Sequence, residues 1–376
     1  MLRRRTPNVM AAACCGEFDR CVSGLRRLSR RFSPLIPRNK VLKAALALLG
    51  VLVFVLALLS AGAYLLPNPT PVSHPNPAKT YGEAVARIEA ALAADGPEIG
   101  YHQIFFDQGS KTATAVVLFH GFTNAPRQMD VLAQAYKARG YNVYVPRLPH
   151  HGLSDRMTED LKNQNVGELT HAVDDAIDIG AGLGDKVIVL GMSAGGTMAA
   201  WAAKNRSEVN EAVIVSPLIQ PQSLPTFLIP PLYHYAPHLP PIWMWWNPLK
   251  KENQKEPVEA YPRYALASLG DFLAMADSVA HDPPRRHSDL GRMVVVTNAA
   301  DAAVRNDFAI RVLEREFKPI TKEWLAFWVL SAKLGWKHDI IDPAGENRTH
   351  TTEIYRALLP LLGLEAPTSL APAGTP

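Results

Sequence analysis

The sequence predicts an α/β fold in which a mostly parallel sheet is covered by helices on both faces and a cap is inserted late in the chain. Three observations predict it. Strand-like and helix-like segments alternate from about residue 113 to residue 218, the rhythm of β-α-β units. An unbroken apolar run, Val187 to Leu190, enters a glycine-rich turn as a buried strand would, and an alanine-rich stretch follows. Between Ile219 and Leu290 the alternation stops for about seventy residues, too many for a structureless loop in a compact domain. That stretch is therefore expected to be a cap with helices of its own, Tyr264 to Val279 among them.

The 376 residues, 48% hydrophobic and 20% charged, suit one globular domain and an extension. Charge locates the extension. Up to Lys43 there are eleven lysines and arginines against Glu17 and Asp19, about +9 of a chain whose net charge is +4, so the remainder is mildly acidic. The main body shows no basic stripe, which excludes nucleic acid as its partner. Ala44 to Leu66 follows without a charge, and its 23 residues reach about 34 Å as a helix, enough to cross a bilayer. The basic flank predicts a cytoplasmic N-terminus and a domain on the far side, the periplasm in a Gram-negative cell. A cleaved signal peptide is the alternative, marked by Ala61-Gly62-Ala63. An apolar run above the usual 7–15 residues and some forty residues before it favour a retained anchor. All three cysteines, Cys14, Cys15 and Cys21, precede the span, so the exported part needs no disulfide, and no CxxC spacing suggests a metal.

Beyond the anchor (residues 44–66), Pro67 to Thr80 is rich in proline and predicts an extended spacer that holds the domain off the membrane. The domain is expected over residues 81–364, with the cap at about 219–290. Tyr81 to Ala94 has helical spacing; Tyr101–Gly109 and Thr112–Phe122 alternate as two strands joined by a turn at Asp107–Lys111. A helix at Gln128–Arg139 ends at Gly140, and a strand at Tyr141–Leu148 follows. Helix Val166–Gly182 leads to strand Lys186–Leu190, helix Gly195–Lys204 to strand Val209–Leu218, and Arg292–Asn298 is read as the last core strand. A helix at Thr351–Leu362 closes the domain, and residues 365–376 read as a disordered tail.

Gly191-Met192-Ser193-Ala194-Gly195 fits G-x-S-x-G between a predicted strand and a predicted helix. Such a turn is so sharp that its central residue is strained, and glycines two before and two after remove side chains that would collide. Ser193 is thereby lifted into the crevice at the carboxyl ends of the strands, where ligands of open α/β sheets bind. A phosphate loop is excluded, since neither Gly-Lys-Ser/Thr nor G-x-G-x-x-G occurs there. A serine hydroxyl needs a base, and the base needs an orienting acid, arriving in sheets of this type in the order Ser, Asp/Glu, His. Asp301 follows the Arg292–Asn298 strand on a loop at the same edge. His338 lies before the final helix, whereas His350 falls at that helix's polar start, where capping accounts for it. The oxyanion donors are then the backbone N–H of Ala194 and that of Phe122, after Gly121 in the loop Leu118–Asn124. His120 is read as a structural histidine of that loop.

These residues resemble the α/β-hydrolase superfamily, particularly its serine esterases, monoacylglycerol lipases and lysophospholipases. "HGFTNAPRQMD", "RLPHHGLSD", "GMSAGG", "ADAAV" and "KHDIID" come in the family's order over about residues 97–364. The resemblance implies an α/β-hydrolase fold, Ser193 as nucleophile, Asp301 and His338 as its triad partners, Phe122 and Ala194 as oxyanion donors, and no cofactor. His150 stands where many relatives carry glycine. The cap segment Phe227–Leu249, with Trp243, Trp245 and Trp246, is aromatic and proline-rich, so its pocket should be apolar and suit acyl esters or lipids, with a further contact to the bilayer open to it. The expected activity is hydrolysis of a carboxylic ester by a membrane-anchored serine hydrolase. Thioester cleavage, acyl transfer and an inert protein that binds on the same fold remain alternatives.

Overall fold

The computed structural model describes residues 40–284 and 290–364. The basic segment up to residue 39, with its three cysteines, and the tail at 365–376 lie outside the described residues. The chain divides after Leu59. Up to that point the described residues are helical, in α1 (Lys40–Ala63), whose stretch Leu42–Ala63 is long and apolar enough to cross a membrane. The helix stops three residues short of the expected Leu66.

From Ser60 onward the domain is built on seven strands in the order β1 (Ile104–Phe106), β3 (Asn142–Val145), β2 (Thr112–Phe119), β4 (Gly184–Met192), β5 (Val209–Val215), β8 (Arg292–Asn298), β9 (Trp324–Leu330). Only β1 runs antiparallel. The mostly parallel sheet of the sequence reading is therefore present, with two corrections. β1 and β2 do not form a hairpin, because β3 lies between them. Arg292–Asn298 is not the last core strand, because Trp324–Leu330 pairs with it along its whole length. That segment was missed because it is an edge strand with a continuous apolar run and no alternation to mark it.

Alternation along the strands builds two cores. Ala115, Val117 and Phe119 of β2 enter one, with α2 (Tyr81–Ala93), α4 (Val166–Leu183), α5 (Ala194–Asn205), α7 (Leu266–His281) and α8 (Asn306–Phe317). Val116 and Leu118 enter the other, with α3 (Asp130–Ala138) and α9 (Thr351–Leu361). Each fully buried Val, Leu or Phe contributes about 1.5–3 kcal/mol. The expected helix at Tyr264 begins instead at Leu266, because Arg263–Ala265 (β7) pairs with Trp243–Trp245 (β6). It packs onto the sheet-covering layer, with Phe272, Leu273 and Met275 fully buried. The short helix α6 (Ile229–Tyr235) precedes that small sheet.

Register places the site. Phe119 of β2 lies opposite Gly191, Met192 opposite Val215, and Val215 opposite Val296. The carboxyl ends of four strands thus form one rim, and the loops leaving them meet there.

The proline-rich segment differs from a free spacer. Asp174 accepts from Ser73 Oγ at 2.7 Å and from the His74 N–H at 2.5 Å, and Asp178 accepts from the Asn76 N–H at 2.8 Å. Asn68 reaches Asp277 at 2.6 Å and Tyr233 at 3.0 Å. The fully buried Arg206 guanidinium holds both α4 carboxylates in place from behind. Residues without internal backbone partners are thereby strapped to the domain by side chains that accept their N–H groups.

Candidate active site

β4 ends at Met192 and α5 begins at Ala194, leaving Ser193 alone in the turn at φ 56° and ψ −117°. That conformation is strained for a residue with a Cβ. It is held by the Ser193 N–H donating to Val215 O at 2.9 Å, while Ser193 O accepts from Leu218 and Thr197. The glycines are explained by distance. A side chain on Gly191 would begin 1.9 Å from Gly195 O, and one on Gly195 would begin 2.1 Å from Phe119 O.

Ser193 Oγ lies 2.8 Å from His338 Nε2, and His338 Nδ1 lies 2.7 Å from Asp301 Oδ2. With the Nδ1 proton donated to the carboxylate, Nε2 presents its lone pair to the hydroxyl. The Asp301 side chain is fully buried; its other oxygen accepts the N–H groups of Ala303 at 2.8 Å and Val304 at 3.2 Å. Burial pushes this carboxyl up, but the bonds from His338 and those two amides outweigh it and hold Asp301 below the usual range. For His338, desolvation favours the neutral ring, yet the Asp301 bond and charge prevail and raise it above 6.5.

Two asparagines without a role in the sequence reading fix the His338 loop. Asn298 Nδ2 donates to Trp336 O at 2.6 Å and Lys337 O at 3.1 Å. Asn347 Nδ2 donates to Lys337 O at 3.1 Å and Asp339 O at 2.5 Å. Asp339 and Asp342 are bonded to other side chains. Asp339 Oδ2 accepts from Gln128 at 2.6 Å, and Asp342 Oδ2 from Asn124 at 3.3 Å.

Gln128 is the residue that spacing did not reveal. Its Oε1 accepts the Gly121 N–H at 2.6 Å while its Nε2 donates to Asp339, so one buried amide joins the Phe122 loop to the His338 loop. The only sequence signal was its place in "HGFTNAPRQMD". Ala194 is buried as the first residue of α5, where helical N–H groups have no intrahelical partner. Phe122 is buried, and a side chain on the preceding Gly121 would lie 3.6 Å from Met192 O, so its loop abuts the turn. Cap residues clamp that loop. Tyr261 N–H donates to Thr123 O at 2.8 Å, Trp246 Nε1–H to Thr123 Oγ1 at 2.8 Å, and the Phe122 ring contacts Trp246, Tyr264 and Phe272. Trp243 and Trp245 instead flank the Arg263 guanidinium.

The other histidines separate by partner. His120 is fully buried, bonded to Gly121 O and accepting from the Leu148 N–H, and desolvation holds it well below 6.5. His150 lies at φ 63°, a left-handed conformation that glycine adopts freely, with its ring between Asp160 and Glu168. His350 does not cap the last helix with its side chain, contrary to expectation; the ring lies 3.3 Å from Glu353. Among the described residues no group of three His, Cys, Asp or Glu is placed to hold a metal.

The arrangement can pass a proton from a hydroxyl to an imidazole at the rim of a parallel sheet. Known proteins share the frame. A thermostable monoacylglycerol lipase from Bacillus sp. (strain H-257) is 32% identical over 94 residues, 25% of this chain and 36% of its own length. A pyrethroid hydrolase from Sphingobium wenxiniae is 30% identical over 125 residues, 32% of this chain and 42% of its own length. The chain thus matches less than half the length of either relative. Among solved structures, a Paleococcus ferrophilus monoacylglycerol lipase superposes with a TM-score of 0.51 at 17% identity, covering 70% of this chain and 98% of that one. A metagenome-derived lipolytic enzyme superposes with a TM-score of 0.51 at 16% identity, covering 70% and 98%. At such identities the likeness is one of fold. Residues 116–334, more than half of the sequence, match the pattern of the Alpha/beta hydrolase family, and the chain belongs to that family.

Proposed function

We propose that the chain is a membrane-anchored serine hydrolase that cleaves carboxylic esters of an acyl or lipid character. The observation that carries this reading is the hydrogen-bonded series Ser193, His338, Asp301, assembled from residues 145 and 37 positions apart. The family, the names of the two curated relatives and the apolar helix α1 add support.

His338 Nε2 takes the Ser193 proton as Oγ attacks the ester carbonyl, and Asp301 stabilises the imidazolium that forms. The N–H groups of Phe122 and Ala194 hold the oxyanion, aided by the positive end of α5. Collapse breaks the bond to the alcohol oxygen, which leaves with the proton from His338 and leaves the acyl group on Ser193. Water then gives a proton to His338 and adds to the acyl carbonyl, and Ser193 departs with that proton. The aromatic cap around Phe122 favours an apolar acyl chain over a sugar or peptide.

The test is turnover of p-nitrophenyl esters of increasing chain length and of monoacyl lipids by the wild-type chain and by Ser193→Ala. The variant is expected to lose at least about a thousandfold in kcat, and fluorophosphonate to label Ser193 alone. Turnover that survives the substitution would remove Ser193 from the reaction, and folded protein that hydrolyses no ester would leave a binding role.

A further inference from the structure

We infer that the cap segment Phe227–Leu249 docks on the lipid surface that holds α1, so that the ester enters from the bilayer. The inference rests on the anchored-hydrolase reading above and adds the surface through which the domain meets the membrane. From Ile219 to Leu249 there is no Asp, Glu, Lys or Arg. Within that span large apolar side chains are left in solvent: Leu249 is 97% exposed, Phe227 57%, Leu239 53% and Ile242 45%. Such a run costs solubility and marks an interaction surface.

The chain's own path identifies the occupant. Where the apolar helix ends, Ala63 is fully buried, and the Tyr235 hydroxyl lies 3.4 Å from where a side chain on Gly62 would begin. Five residues on, Asn68 bonds to Tyr233 of the same cap helix and to Asp277 of α7. Ser73, His74 and Asn76 are then strapped to α4. The chain therefore enters the domain against the cap at Gly62 and Ala63, and the strap that follows leaves no long tether. A bilayer crossed by Leu42–Ala63 has its surface at Ala63, a residue of the same unit as the cap. Tryptophans and the exposed lysines Lys250 and Lys251, which follow directly, suit an interface of acyl chains below and headgroups above.

The full chain, reconstituted in phosphatidylcholine–phosphatidylglycerol vesicles, tests this with the triple variant Phe227→Glu, Leu239→Glu, Leu249→Glu, three exposed side chains. All seven tryptophans lie outside the apolar helix, so quenching by brominated acyl chains reports domain docking. Wild type is expected to be quenched and the variant much less so. Both should float with the vesicles and cleave a soluble short-chain ester alike, while the variant loses about tenfold on a long-chain ester dispersed in the bilayer, as expected when apolar anchorage is removed. Equal quenching, or no quenching of wild type that floats, overturns the docking surface. Wild type that fails to float overturns it together with the anchor. Quenching without turnover of the soluble ester upholds the docking surface and refutes the hydrolase reading instead.

Discussion

Replacing Gln128 by methionine keeps the side-chain length and removes both ends of the bridge between the Phe122 and His338 loops. Gln128 is only 2% exposed, so water cannot take its place. The Gly121 N–H, now 2.6 Å from Oε1, is left buried without an acceptor, which costs about 1–3 kcal/mol. Asp339 loses a 2.6 Å bond of the charged kind, worth about 1.5–3 kcal/mol. The two together come to about 2.5–6 kcal/mol, a large share of the 5–15 kcal/mol that typically stabilises a domain. Catalysis should suffer separately. Gly121 precedes Phe122, the proposed oxyanion donor, and one misplaced oxyanion donor costs about 100-fold to 1000-fold in kcat. The assay is kcat and KM on a short chromogenic ester beside the urea midpoint of the same preparation. The expected result is a fall in kcat of about 100-fold with KM changed far less, since the donor binds the transition state and not the ground state. A lowered urea midpoint with kcat within a factor of about two of wild type would refute the positioning argument and leave Gln128 a purely structural residue.

Gly195→Ala drives a methyl group to 2.1 Å from the Phe119 carbonyl; since the atom it meets is backbone and cannot swing aside, the turn must open, and soluble yield and thermal midpoint should collapse together with activity. Because His338 is raised above 6.5 and in the proposed reaction must be neutral to accept the Ser193 proton, kcat/KM is expected to fall as pH drops through an inflection above 6.5. Asp301→Asn should lower kcat about 1000-fold to 10,000-fold and move that inflection downward, which a pH–rate profile reads directly. Arg206→Met strands two buried carboxylates, Asp174 and Asp178, and should cost about 3–5 kcal/mol by urea titration. Arg311→Met, which breaks an exposed pair with Asp307, should stay within about 0.5 kcal/mol.

Much of the frame was legible along the chain. Buried parallel strands are apolar runs, and glycine spacing around Ser193 follows from a turn whose backbone atoms leave no room for a Cβ. The order Ser193, Asp301, His338 could be read because each follows a strand or precedes a helix with a recognisable pattern. What was illegible shares a different physical character. β9 was hidden because an edge strand exposed to solvent need not alternate. The strap at Pro67–Thr80 read as a spacer because its bonds run to Asp174 and Asp178, about a hundred residues away.

Local chemistry along the chain therefore determined the class of fold, the strained serine, the candidate partners and the apolar helix, since periodicity, turn sterics and charge act between near neighbours. Tertiary structure alone decided that Gln128 ties two loops and that Asn298 and Asn347 hold His338. It also decided that the cap clamps Thr123 and that the segment after the apolar helix lies against the domain. Those are pairings of single polar atoms across long stretches of chain, and a hydrogen bond leaves no period in the sequence by which its partner could be found.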